Sequence, residues 1–231
     1  MSMNRLLLTV LLLLASSAWA GPYEDAEAAH NRGDYAAELK ITRPLAAKGE
    51  AWAQYYLGQS YHKGRGVPEN YRDAAKWYRL AAAQRYAQAQ YSLGEMYRIG
   101  QGVAQDYAEA VKWYRLAAAQ GNARAQSNLG VIYEKGQGVP QDNAEAVKWY
   151  RLAAAQGYAQ AQTFLGWMYY SGEGVPQDFV RAHMWLNLAA ANDDSHGTPR
   201  DAVALLMGRQ EIAEAQKLAR ECQARNFKGC E

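Results

Sequence analysis

The stretch AEAVKWYRLAAAQG occurs at residues 108–121 and again, letter for letter, at residues 144–157, 36 positions later. A fixed interval constrains a fold more than composition does. Each copy must be one structural unit that buries its apolar face against its neighbours. Aligned on this stretch, four units follow without gaps: 51–86, 87–122, 123–158 and 159–194. Each opens A-x-A-Q, places Leu-Gly six residues in and then a Tyr, continues G-x-G-V, and closes W-x-x-L-A-A-A.

The local chemistry makes each unit a helical hairpin. Its first helix, A, runs from the opening Ala to about Gly64, Gly100, Gly136 or Gly172, where a positive φ is cheap only for Gly. Asn70, Asp106, Asp142 and Asp178 then suit the N-cap of the second helix, B. Glu109 and Glu145, three residues on, are placed to complete a capping box in units two and three. Trp77, Trp113, Trp149 and Trp185 recur at one position and are expected to fill the interfaces between stacked units. Gly58, Gly94, Gly130 and Gly166, with Ala74, Ala110, Ala146 and Ala182, let helices approach closely.

The motifs A-x-A-Q-x-x-L-G-x-x-Y, G-x-G-V-P-Q-D and A-x-x-W-x-x-x-A-A, as in Ala123 to Ala154, resemble the Sel1-like repeat family, a relative of the tetratricopeptide repeat. The resemblance implies an all-α fold, a right-handed α-solenoid of helix-turn-helix repeats. It also implies a non-catalytic adaptor that binds a protein partner. Exported members with a Cys pair in each repeat are associated with penicillin binding or β-lactam hydrolysis. This chain has no Cys within its units, so a β-lactam- or peptidoglycan-related activity stays the alternative.

The flanks differ in character. Arg5, the apolar run Leu6 to Leu14 and the stretch ASSAWA read as a signal peptide, 1–20, cleaved near Ala20. The run is too short to be a comfortable transmembrane anchor, since spanning takes about 20 apolar residues. The expected location is periplasmic or secreted, and a secreted factor that meets a host is a further alternative. Residues 21–50 read as a degenerate N-terminal capping hairpin and 195–231 as a C-terminal cap containing a Pro199-led helix that Gly208 could divide. Cys222 and Cys230 are the only cysteines, and in an oxidising compartment they read as one disulfide. A redox or metal pair is the alternative, although no CxxC is present and no His lies between them. Of the 25 Lys and Arg, Arg5 lies in the signal peptide, which leaves 24 against 23 Asp and Glu. That balance gives no electrostatic case for nucleic acid.

Comparing the copies separates scaffold from surface. In helix A of the first unit, the positions that change between copies are those of Trp52, Tyr55, Tyr56, Gln59, His62 and Lys63, which share one helical face. In a stacked array that face is expected to line a concave groove. The candidate partner-binding residues are Trp52, Tyr55, Gln59, His62 and Lys63; Gln88, Tyr91, Glu95 and Arg98; Arg124, Ser127 and Glu134; and Thr163, Trp167 and Tyr170. Trp, Tyr and Arg are the types most often found at interface hot spots. The aromatics could equally pack on neighbouring helices. A cell-wall component is the alternative occupant to a protein. Lys76, Arg79, Lys112, Arg115, Lys148 and Arg151 form a periodic basic stripe, with acidic residues three positions before each Lys to pair with it.

Catalytic signals are poor. His30, His62, His183 and His196 are scattered, and no nucleophile elbow or phosphate loop appears. The recurrent G-x-G follows a helix and lacks the third Gly of a dinucleotide fingerprint, so a hairpin loop explains it better. No cofactor, metal site or catalytic residue is expected.

Overall fold

The computed structural model describes residues 21–192 and 197–230. The expected signal peptide 1–20 lies outside the described residues, as do His196 and the last two positions of the fourth unit. The described residues form twelve helices and no strand. An N-terminal pair, α1 (Pro22–Asn31) and α2 (Tyr35–Ala47), precedes the repeats. Helix A of the four units is α3 (Ala51–Lys63), α5 (Ala87–Ile99), α7 (Ala123–Lys135) and α9 (Ala159–Ser171). Helix B is α4 (Tyr71–Ala83), α6 (Tyr107–Ala119), α8 (Asn143–Ala154) and α10 (Phe179–Asn192). The tail holds α11 (Gly197–Ala204) and α12 (Arg209–Ala224), which begins directly after Gly208. None of the described helices is long and apolar enough to cross a membrane.

The caps follow the side chains. Asn70 Oδ1 accepts from Asp73 N at 3.1 Å, Asp106 from Glu109 N at 3.0 Å, Asp142 from Glu145 N at 2.9 Å and Asp178 from Arg181 N at 2.8 Å. The reciprocal half of the expected capping box does not form. The N-cap backbone N–H instead donates to the carbonyl of the recurrent helix-A tyrosine: Asn70 to Tyr61, Asp106 to Tyr97, Asp142 to Tyr133 and Asp178 to Tyr169, each at 2.9 Å. One bond thus satisfies an orphan donor of helix B and a late carbonyl of helix A. Glu109 and Glu145, released from capping, pair with Lys112 and Lys148.

Both glycines of G-x-G have work to do. Gly136 ends α7 in the left-handed region at φ 65°. Gly138 has φ 72°, and a Cβ there would lie 2.7 Å from the backbone of Tyr107, which opens helix B of the preceding unit. The loop therefore rests on bare backbone that any side chain would push away.

The chain divides into two compact units, one running to Ala89 with Gln101–Val103, the other comprising Gln90–Gly100 and Ala104 onward. In the first, Leu39, Ala46, Ala53, Leu57 and Val67 form an apolar cluster on which Trp77 packs. In the second, one cluster joins Ala110, Val111, Tyr114, Leu129 and Ile132. A larger one joins Tyr150, Leu165, Trp185 and Leu188 to Val203, Ala219 and Cys222 of the tail.

Trp77 and Trp149 pack against the apolar clusters of the elements that precede them, where the interface between neighbours is expected, but the side chain that fills the inside of each hairpin is a different one. Trp77, Trp113 and Trp149 are half-buried, and only Trp185 is fully buried. The next residue, Tyr78, Tyr114 or Tyr150, is at most 1% exposed. Its ring lies across the helix-A glycine. A Cβ on Gly58 would come within 2.6 Å of Tyr78, and one on Gly94 within 2.7 Å of Tyr114. Gly130 meets Tyr150 in the same way, and in the fourth unit Gly166 meets Leu186. Glycine is needed here to make room for a ring.

A buried glutamine ladder links successive helices. Gln126 Nε2 donates to Ala118 O at 3.1 Å, and Gln126 Oε1 accepts from Gln156 Nε2 at 2.7 Å. Gln54, bonded to Ala46 O and Gln84, repeats the arrangement in the first unit. These contacts satisfy buried amides, which is costly to leave undone.

The tail is closed by a disulfide between Cys222 and Cys230, with Cα atoms 5.3 Å apart.

Candidate functional site

The variable face of helix A is built differently in the two compact units. In the first, its aromatics are largely taken up by packing. Trp52 lies edge-on to Tyr23 of α1, with centroids 5.3 Å apart, and to Tyr56 at 6.3 Å. Tyr55 tilts against Tyr86 at 5.1 Å and Tyr78 at 5.8 Å, and its hydroxyl accepts from Gln59 Nε2 at 2.5 Å. Burial, with Tyr23 and Tyr55 close by, pushes the Tyr86 hydroxyl up to about 12. His62 stands edge-on to Tyr71 and Tyr78, and its ring nitrogens lie 3.4 Å from the Tyr78 hydroxyl and 3.3 Å from Gln101 Oε1. Lys63 and Gln88 are exposed.

In the second unit the face is more charged. Tyr91 tilts over Tyr114 at 6.0 Å, and burial beside Glu95 pushes its hydroxyl up to about 12. Glu95 accepts from the Tyr114 hydroxyl, from Asn128 Nδ2 at 2.5 Å and from Arg98 at 2.8 Å. That carboxylate holds Arg98 above the usual guanidinium range. Burial and the same carboxylate hold the Tyr114 hydroxyl protonated. Glu134 accepts from Tyr150 at 2.5 Å. Arg124 is exposed. Thr163 Oγ1 donates to Ala159 O at 3.1 Å. Trp167 is 39% exposed and meets Tyr170 edge-on at 5.3 Å, and Tyr170 tilts against Phe179 at 5.8 Å.

Ser127, expected on the binding face, is not at the surface. Ser127 is fully buried, with its hydroxyl unpartnered. Its position holds the larger Tyr55, Tyr91 and Thr163 in the other units, and the smaller serine lies beneath the surface that they reach.

A rule links the face to the scaffold. Where helix B carries the buried tyrosine, helix A supplies a polar group for its hydroxyl: His62 for Tyr78, Glu95 for Tyr114, Glu134 for Tyr150. Where helix B carries Leu186, no hydroxyl needs a partner, and the corresponding helix-A positions hold Trp167 and Tyr170. Three polar candidates thus serve the fold as well as the surface. The signal was readable in the sequence: the Tyr after each Trp is replaced by Leu only in the copy with no Glu or His at the two helix-A positions.

Outside this face, the basic stripe is matched by partners. Lys76, Lys112 and Lys148 pair with Asp73, Glu109 and Glu145, and Arg115 and Arg151 donate to the hydroxyls of Tyr133 and Tyr169. His183 is buried, and burial, followed by nearby Arg200, lowers its pKa. Among the described residues, no three His, Cys, Asp or Glu side chains group to hold a metal ion.

The Sel1 repeat model matches residues 53–86, 87–122, 123–158 and 159–194. A crystal structure of a protective antigen from uropathogenic Escherichia coli strains, which displays an SLR fold, is 33% identical with a TM-score of 0.72. The match covers 85% of this chain and 43% of that one, so this chain spans less than half of that protein's length. A Sel1 repeat protein from Oxalobacter formigenes is 31% identical over 89% of this chain and 75% of its own, with a TM-score of 0.71. A third structure, described as a Sel1 repeat protein of Klebsiella pneumoniae, shares the fold at 24% identity and a TM-score of 0.53, covering 79% of this chain and 91% of its own. No curated protein gives a significant match. With four matched repeats over more than half its length and an α-solenoid fold of helical hairpins, the chain belongs to the Sel1 repeat family.

Proposed function

We propose that the chain is a non-catalytic scaffold of the bacterial envelope that holds a protein segment against the variable face of helix A. Sel1 repeat proteins generally act as protein–protein interaction scaffolds. The observation that carries the reading is Trp167. It is a large apolar side chain left 39% exposed, whereas Trp52, on helix A of the first compact unit, is packed on α1. Exposed Trp beside Tyr, with the exposed Arg124 on the same variable face, is the side-chain chemistry of interface hot spots. The first-unit face, with its aromatics packed on one another, serves as support. The sequence of residues 1–20 and the tail disulfide favour an oxidising compartment.

The test is crosslinking co-purification from the envelope of the source organism, comparing wild type with the Trp167→Ala, Arg124→Glu double variant. A partner retained by wild type and lost from the folded variant supports the reading, and equal recovery refutes it.

A second reading has one observation in its favour, the 33% identity to a protective antigen. It makes the chain an exported factor that meets a host. Protease accessibility on intact cells separates it from a periplasmic scaffold.

A further inference from the structure

The fourth unit breaks a charge pattern that the other three keep. On helix B, Asp73, Glu109 and Glu145 pair with Lys76, Lys112 and Lys148, three positions on. In the fourth copy those two positions hold Arg181 and Met184. Arg181 pairs with the N-cap Asp178, and Met184 is buried in the cluster on which Leu218 of α12 packs. The tail therefore explains why the lysine is absent. It does not close the space beside it: a cavity of about 360 Å³ remains, bordered by α10, α12 and Cys230. That is within the range of small-ligand sites.

The lining has two chemistries. Val180, Met184, Leu218 and Cys230 are apolar, and two further side chains, Glu214 and Arg225, bring opposite charges. Among the described residues neither of these two is in an ion pair, with the other or with anything else. Arg225 Nε donates to Glu221 O at 3.2 Å, which leaves the two Nη groups of its planar fork. The helix keeps the charges apart. Arg225 is the C-cap of α12, eleven positions after Glu214. At about 3.6 residues per turn and about 1.5 Å per residue, the two lie within about 20° of one face and about 16 Å apart along the axis. Leu218 lies between them, near the same face. An acid, an apolar side chain and a base thus follow one another along a single cavity wall.

We infer that this cavity binds a short peptide with both termini free, its ammonium on Glu214, its carboxylate on Arg225 and its middle side chain against Met184 and Leu218. The charge separation sets the length. An extended tripeptide covers about 10 Å, and a hydrogen bond of about 2.9 Å at each end brings the total to the separation of the two charges. Two end charges of opposite sign also fix the direction in which the peptide lies. The site shares no residue with the helix-A face assigned to a protein partner and is independent of that reading.

NMR titration of the purified, disulfide-bonded chain tests this with the peptide Ala-Leu-Ala, its N-acetyl form and its C-terminal amide. The variants are Glu214→Gln and Arg225→Gln. Both residues are exposed, and far-UV circular dichroism checks that helicity is kept. Ala replaces Gln in any variant that unfolds. Wild type is expected to bind the unmodified peptide. Acetylation and amidation should each weaken that binding about tenfold, since each removes one charge-assisted contact. The decisive comparison pairs each variant with one modification. Acetylation should make no difference to Glu214→Gln, and amidation none to Arg225→Gln, while the opposite modification still weakens each. Wild type showing no binding at millimolar peptide overturns the inference. So does a modification that weakens its matched variant as much as it weakens wild type.

Discussion

Replacing Gly94 by Ala asks whether a ring or a helix preference decides this position. Gly94 lies inside α5, where Ala is favoured over Gly by about 1 kcal/mol on helix propensity alone. Propensity therefore predicts a more stable protein. The structure predicts the opposite sign. The new methyl would sit 2.7 and 2.8 Å from two ring carbons of Tyr114, well inside van der Waals contact. That ring is 0% exposed and bonded through its hydroxyl to Glu95, so it has little room to retreat. Overpacking of this kind costs typically ~1–3 kcal/mol, and two close ring atoms place it in the upper half of that range. The net expectation is a loss of about 1–2 kcal/mol. Reversible urea unfolding followed by circular dichroism measures it, in wild type and in a Tyr114→Ala background. With the ring gone, the same Gly94→Ala change should gain about 1 kcal/mol, and this sign reversal is the coupling signature of neighbours. If Gly94→Ala stabilises the wild-type background, the glycine–tyrosine packing argument is wrong.

Other outcomes follow from the same contacts. Glu95→Leu should lose ~1–3 kcal/mol, because it strands the buried Tyr114 hydroxyl, while Glu95→Gln keeps an acceptor and should lose less; equal losses would contradict the pairing. Replacing both Cys222 and Cys230 by Ser opens a loop with a sequence separation of 8 and should cost about 2.5 kcal/mol in urea unfolding, whereas an unchanged midpoint would remove the disulfide from the tail's stability. His183 has a folded pKa lowered from 6.5 by burial, so the unfolded chain binds the proton first as pH falls. Stability from this group is fully present above 6.5 and is lost below it, with a slope of up to about 1.4 kcal/mol per pH unit. His183→Gln should flatten the pH profile below 6.5, and parallel profiles would refute the assignment.

Much of the fold was legible because repetition turns one chain into its own alignment. The 36-residue interval, the stop at Gly136 and the cap at Asp142 all follow from residue types with strong local preferences. What could not be read was depth. Trp113 and Tyr114 are adjacent, both large, and repeat together, and nothing in the letters says which one points inward. The structure gives the interior to tyrosine, whose hydroxyl reaches a helix-A acceptor, and leaves the Trp half-buried. Ser127 is buried for a related reason: the smallest side chain at a position of the variable face need not reach the surface that its larger counterparts do. Trp52 is covered by Tyr23, from a hairpin whose sequence carries too little of the repeat pattern to be docked by alignment.

In the function proposed above, a protein partner lies on the helix-A face of the second compact unit. The most direct measurement is photocrosslinking in the living source cell, with a photoreactive residue placed singly at Trp167, Arg124 and, as a control, Glu173 in the exposed loop after α9. Trp167 and Arg124 are expected to yield an adduct of the same mass with a protein other than the chain itself, and Glu173 to yield none. An adduct confined to Glu173, or none from Trp167 and Arg124, would contradict it.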